Sequence, residues 1–257
     1  MNAKRILLAL VAAALAAGAS PARAAGEGVK LDDVEPDVTD LASLQSGART
    51  FVNYCLNCHG ASLVRYNALR QIGLTDDQIR DNLMFTAEKV GMPMAVAMRP
   101  AEAAQWFGVA PPDLSVIARA RGADWLYTYL RTFYRDSSTP TGWNNMVYPN
   151  VAMPHVLWAL QGEQALKEVP ATTRDGKPVI GEDGRPRKVA RLEQVTPGAL
   201  STAAYDKTVY DLVNFLVWMG EPHQLERKRI GIWVLFGLTV LVFLTYFLKR
   251  AYWKNVH

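Results

Sequence analysis

The chain has 257 residues, half of them apolar, with 28 basic against 24 acidic side chains, enough for one or two domains with a sizeable core. Three of the basic residues fall in an N-terminal leader and six bracket a C-terminal apolar run, so residues 25–226 carry 19 basic and 24 acidic groups, a net of −5. The overall basic balance therefore belongs to the two ends, and the acidic middle argues against nucleic acid and permits a basic partner.

Lys4 and Arg5 precede an apolar run from Ile6 to Ala17, and Ala22-Arg23-Ala24 fits a small-residue cleavage site. A stretch of 12 apolar residues is too short to span a bilayer, so residues 1–24 read as a signal peptide, an uncleaved N-terminal anchor being the alternative. From Asp40 onward, Leu41, Leu44, Gly47, Phe51 and Cys55 recur at three- and four-residue steps, which predicts one buried face of a helix.

That helix runs into Cys55-Leu56-Asn57-Cys58-His59, which holds the only two cysteines of the chain. A C-x-x-C-H run reads as covalent attachment of one haem c. The two thiols add across the porphyrin vinyl groups, and His59 falls beneath the iron as the proximal ligand. A thioredoxin-like redox pair should follow a strand and open a helix, whereas this motif ends a helical pattern. A zinc site needs more thiolate or histidine ligands, and the chain has four histidines.

A six-coordinate iron needs a second ligand, and Met84, Met92, Met94, Met98, Met146, Met153 and Met219 are all candidates. Met219 lies in a terminal helical pattern, and Met84 to Met98 lie close to the proximal side in sequence. Met153 sits in Tyr148-Pro149-Asn150-Val151-Ala152-Met153-Pro154, a proline-bounded segment that exposes a side chain in one direction. A thioether is a soft ligand that favours ferrous iron, as an electron carrier requires. Spacing alone leaves the choice among these methionines open.

Residues Ala171 to Arg191 carry Asp175-Gly176 and Asp183-Gly184, which predict a polar hairpin or pair of turns. Tyr205 to Met219 repeats Val209, Leu212, Val213, Phe215 and Leu216 on a helical period. Ile230 to Leu248 then runs 19 residues without a charge, with Arg227, Lys228 and Arg229 before it and Lys249, Arg250 and Lys254 after. At about 1.5 Å per residue it reaches roughly 28 Å, close to the hydrocarbon thickness of a bilayer. A buried core helix is the alternative, but such helices rarely are apolar all round. The leader directs residues 25–226 outward and leaves Lys249 to His257 in the cytoplasm.

These segments resemble a known family. The two helical patterns, with Gly47 and Phe51 on the first, resemble the cytochrome c fold, in which the first and last helices cross closely. Pro111-Pro112-Asp113-Leu114-Ser115 with Arg119-Ala120-Arg121, the stretch Tyr148 to Trp158, and Trp218-Met219-Gly220-Glu221-Pro222 ahead of the anchor resemble the cytochrome c1 family, over most of residues 30–250. This resemblance implies a mainly α, cytochrome c-like haem domain with a polar hairpin insert and one C-terminal transmembrane helix, residues 227–257 being the anchor, with its span over 230–248, and a short cytoplasmic tail. It makes Met153 the distal iron ligand and Pro111, or its neighbour Pro112, the carbonyl that accepts the His59 ring N–H. It makes Arg121 the partner of a haem propionate, with Arg119 read as solvated charge.

Where family members often continue with proline after the ligand methionine, Met153-Pro154 is followed here by His155, a competing ligand. The implied function is electron transfer within a bacterial cytochrome bc1 complex, from a Rieske iron–sulfur protein to a soluble cytochrome c, beside cytochrome b and lipid. The haem domain would lie on the periplasmic side of the inner membrane, and the chain would be no enzyme by itself. Two rivals are a haem sensor or peroxidase with an open sixth position, and an anchored cytochrome serving a terminal oxidase or dehydrogenase.

Overall fold

The computed structural model of the chain describes residues 29–96, 98–172, 178–180 and 186–254, so the leader expected over residues 1–24 lies outside the described residues. Among the described residues the domain is mostly helical, with three two-stranded antiparallel sheets and one long apolar helix toward the C-terminal end.

Helix α1 (Leu41–Thr50) starts where the Asp40 carboxylate accepts the Ser43 N–H at 3.0 Å, satisfying a donor that the first turn otherwise leaves free. It buries Leu44, Gly47 and Ala48 and continues into a π-helical turn, Phe51–Cys55. Strand β1 (Ala61–Arg65), a 3₁₀ segment (Tyr66–Ile72), helix α2 (Asp76–Asn82), β2 (Pro93–Met94) and α3 (Pro100–Phe107) follow. Helices α4 (Ile117–Arg121) and α5 (Ala123–Arg131) lead to the paired strands β3 (Phe133–Arg135) and β4 (Trp143–Asn145). After the short helix α6 (Trp158–Gln161) come β5 (Gly162–Pro170) and β6 (Lys188–Pro197), then α7 (Thr202–Gly220) and α8 (Gln224–Tyr252).

The core is organised by the crossing of α1 on α7, as the helical periods imply. Phe51 and Phe215 meet at a ring separation of 5.7 Å, while Val209, Leu212 and Val213 are fully buried. A Cβ on Gly47 would lie 2.0 Å from the Asp211 carbonyl oxygen, so glycine alone lets the two backbones come this close. Helix α5 packs on the same helix, with the Tyr205 hydroxyl donating to the Leu130 carbonyl at 2.8 Å and Arg131 bound to Asp206.

The ribbon begins earlier than the insert read from sequence. β5 and β6 pair from Gly162↔Pro197 to Pro170↔Lys188, and bridges Thr172↔Pro178 and Ile180↔Pro186 extend the pairing. Both Asp-Gly pairs lie outside the described residues. Residues 32–37, ahead of α1, are held to the helices by hydrogen bonds. Thr128 Oγ1 accepts the Asp32 N–H, Asp124 accepts the Val34 N–H, and Tyr210 and Asn214 donate to the carbonyls of Glu35 and Asp37.

Helix α8 covers the apolar run and every residue of its basic flanks except Lys254. Its 29 residues extend about 43 Å, and none is buried against the domain. Among the described residues it is the one helix long and apolar enough to cross a membrane, which supports a single-span topology.

Candidate haem site

A cavity of about 400 Å³ opens between the end of the π-helical turn, α4, α5, α7 and the loops around Pro112 and Met153. Its size is that of a cofactor pocket. One wall is the end of the π-helical turn, carrying Tyr54, Cys55, Cys58 and His59. The turn closes on itself through Cys58 N–H and His59 N–H, which both donate to the Cys55 carbonyl, at 3.1 and 2.8 Å. That winding brings both thiols and the imidazole to the same cavity. The second wall comes from Pro111, Pro112, Leu114, Ile117 and Arg121, and the third from Trp125, Leu126, Tyr129 and Leu130 of α5. Val151 to Pro154 face them, and Leu212 and Leu216 of α7 complete an apolar lining.

His59 Nδ1 lies 2.7 Å from the carbonyl oxygen of Pro112. A carbonyl only accepts, so Nδ1 carries the proton and Nε2 keeps its lone pair. The carbonyl is therefore that of Pro112; Pro111, the first choice from sequence, lines the cavity instead. The loop is held in place by Asp113, whose carboxylate accepts the Ser62 and Ser115 N–H groups, each at 2.8 Å, while Leu114 N–H donates to the Gly60 carbonyl at 2.7 Å. Burial works against the charged form of Asp113, yet these hydrogen bonds hold its carboxyl below the usual range. Burial lowers the His59 pKa, with the Pro112 bond and Asp113 acting against it, so the ring stays neutral, as a metal ligand must.

Cys55 is pushed up to about 12, first by burial and then by the neighbouring Cys58, which burial also raises. No disulfide joins the two. Among the described residues no group of three or more His, Cys, Asp or Glu side chains is placed to hold a metal ion between them.

Met153 is the methionine that reaches the cavity, and its sulfur accepts a hydrogen bond from the Tyr129 hydroxyl at 3.3 Å. Met84, Met94 and Met219 are core residues. His155, two residues on, turns away from the cavity and is 2 % exposed. Its ring stacks on Phe133 at 4.9 Å and meets the edge of Trp143 at 5.1 Å, so it is packed within the core.

Arg121 lines the mouth with its guanidinium over Trp125, 5.0 Å from the ring centre, and 6.0 Å from that of Tyr148. No ion pair to it occurs among the described residues. Arg119 differs: it pairs with Glu221 at 3.3 Å, and Glu221 also binds Arg227 at the start of α8. The aromatic wall of Trp125 and Tyr129 was not read from sequence. A helical period through 125, 126, 129 and 130 was available to find it.

Two thiols, a neutral imidazole and a thioether set in one apolar cavity, with an unpaired guanidinium at its edge, fit a covalently held haem. Cys55 and Cys58 would hold the porphyrin edge, His59 and Met153 the iron, and Arg121 a propionate.

The chain is 49 % identical to a protein named ammonia monooxygenase gamma subunit from Nitrosomonas europaea, over 99 % of this chain and 98 % of that one. It is 45 % identical to cytochrome c1 of Allochromatium vinosum, over 91 % and 93 % of the two chains, and 29 % identical to cytochrome c1 of Rhodospirillum rubrum, over 84 % and 83 %. Residues 36–256 match the Cytochrome C1 family, and the chain belongs to that family of membrane-anchored, covalently haem-bearing electron-transfer proteins.

Proposed function

We propose that this chain is the haem subunit of a bacterial cytochrome bc1 complex, relaying single electrons from a Rieske iron–sulfur protein to a soluble cytochrome c. The observation that carries the reading is the convergence of Cys55, Cys58, His59 and Met153 on one apolar cavity. Haem c, when bound, supplies reversible one-electron ferric–ferrous chemistry. The chain's own residues do the rest. Pro112 fixes the His59 tautomer, and α5 and α7 supply apolar walls to the cavity. His59 and Met153 would together hold the iron and leave no position for a substrate, which makes the chain a carrier and not an enzyme.

In this reading residues 1–24 are removed on export, residues 25–226 lie in the periplasm, and α8 shares the inner membrane with cytochrome b. Affinity purification of the full chain in mild detergent tests the assignment. Cytochrome b and a Rieske protein should come with it. Recovery of monooxygenase subunits instead would favour the second reading, an electron-transfer subunit of such an assembly, which the 49 % identical relative brings in by its name.

A further inference from the structure

Three residues, Glu221, Pro222 and His223, join α7 to α8. Glu221 leaves helical geometry at φ −157° and ψ 76°, and Pro222 brings no backbone N–H to continue the helix. No residue of α8 is buried, so packing does not set the angle at which it leaves the domain. The turn itself is held by the Gln224 N–H, which donates to the Glu221 carbonyl at 3.1 Å.

One carboxylate spans this joint. Arg227, in the first turn of α8, donates both Nε and Nη2 to Glu221, the second at 3.1 Å. From the other side Arg119 of α4 brings Nη1 to 3.3 Å from Glu221 Oε2. The Arg119 stem lies against the end of α7: a Cβ on Gly220 would stand 3.4 Å from its Cγ and 3.8 Å from the Ser115 carbonyl oxygen. The Glu221 side chain is 25 % exposed, and its bond to Arg227 holds the carboxyl below the usual carboxylate range. Glu226, the acidic residue on the far side of the joint, reaches His223 at 3.1 Å and stays within the joint.

We propose that Glu221 is a clasp between the haem domain and its anchor: by binding Arg119 of α4 and Arg227 of α8 at once, it fixes the angle at which the domain stands on the membrane. The inference rests on α8 being the membrane span and, for one of two readouts, on the cavity holding haem. A single exposed ion pair is a weak hold, because water screens it and two long side chains must be ordered. Here the fork of Arg227 meets the carboxylate with two bonds, which restricts direction as well as distance. Arg119 ties the same carboxylate to α4, whose Arg121 lines the cavity mouth. A lever of 29 residues turns rotation at the joint into displacement of the cavity relative to a membrane-bound donor. With the clasp closed, the cavity keeps one height and tilt above the bilayer.

The test uses the full haem-loaded chain, reconstituted through α8 into phosphatidylcholine bilayers without other subunits. In oriented layers the low-spin ferric resonances of the unaltered chain should depend strongly on the angle between magnetic field and bilayer normal. Glu221→Gln removes the charge and keeps the size. It should lose most of that angular dependence, with the g-values and the melting midpoint unchanged. Arg119→Gln, on the domain side, should do the same, and the two together should add nothing. Glu226→Gln, which removes an equal charge at the same joint, should keep the full dependence. The second readout needs no haem: trypsin cutting after Arg227, Lys228 or Arg229 releases the domain from the vesicles. Release should be about two- to fivefold faster in Glu221→Gln and in Arg119→Gln, the weight of an exposed ion pair. Either readout unchanged in Glu221→Gln would overturn the proposal. If the unaltered chain gives no low-spin signal, the haem reading fails, and the release rates alone decide whether the clasp exists.

Discussion

A side chain as small as a methyl group on Gly47 would stand 2.0 Å from the carbonyl oxygen of Asp211 and 2.6 Å from Cβ of Phe215. No rotamer change relieves a contact with backbone, so Gly47→Ala must push α1 off α7. Alanine ordinarily favours a helix by about 1 kcal/mol over glycine. Here overpacking of about 1–3 kcal/mol or more should outweigh that gain. Thermal denaturation of Gly47→Ala should show a lower midpoint, and Gly91→Ala, where added volume meets open space, should not. An unchanged midpoint in Gly47→Ala would mean that the helices are not held at this separation.

Covalent attachment makes its own demand on Cys55 and Cys58. Acid–acetone extraction should leave haem mass on peptides spanning Phe51 to Arg65. Cys55→Ala and Cys58→Ala should each retain at most one thioether and accumulate at lower yield. Free extraction of haem from the unaltered chain would remove the basis of the proposed function.

His155 offers a contrast with Met153 two residues earlier. Its ring lies between Phe133 and Trp143, and its removal leaves a cavity in the core. His155→Ala should cost about 2–5 kcal/mol, in the range of large-to-small core substitutions, with the spectrum of the folded protein unchanged. A spectral change with no loss of stability would make His155 an iron ligand after all.

Much of this site was legible because it is local. The Cys55–His59 spacing, the Gly47 and Phe51 period, and the uncharged run from Ile230 to Leu248 each announce themselves within one or two turns. What escaped depends on contacts distant in sequence. Choosing Pro112 over Pro111 needs the loop that Asp113 anchors to Ser62, 51 residues away. The burial of His155 depends on Phe133 and Trp143, and neither announces a stacking role in the sequence. The first strand of the ribbon has Glu163 and Gln164 half-buried and Leu166, Lys167 and Glu168 exposed in a row, so it shows no clean two-residue alternation. Helix α4 shows the same limit: Arg119 and Arg121 stand two residues apart, and only packing sends one to Glu221 and the other to the cavity mouth.

The acidic N-terminal stretch bears on how a soluble partner finds the site. Asp32, Asp33, Glu35, Asp37 and Asp40 crowd into nine residues, and residues 25–226 carry a net of −5. Three of the five have structural duties: Asp32 pairs with Arg131 at 2.6 Å, Asp37 accepts from Thr39, and Asp40 caps α1. Asp33 and Glu35 are exposed, with no ion pair among the described residues. A transient redox partner gains more from fast encounter than from tight contact, and opposite charge raises encounter rates by about 10 to 1000-fold at low salt. Screening cuts the reach of that attraction to about 8 Å at physiological ionic strength. Electron transfer to a basic cytochrome c should therefore slow steeply as salt rises, while the midpoint potential barely moves. Asp33→Asn with Glu35→Gln should flatten the salt dependence without loss of stability. Asp32→Asn should instead lower the melting temperature, because it removes a partner of Arg131. If the double variant keeps the full salt dependence, the steering charge lies elsewhere on the acidic domain. A rate that is flat or rises with salt would show that the acceptor is acidic or docks through apolar contacts, and a basic partner would have to be abandoned.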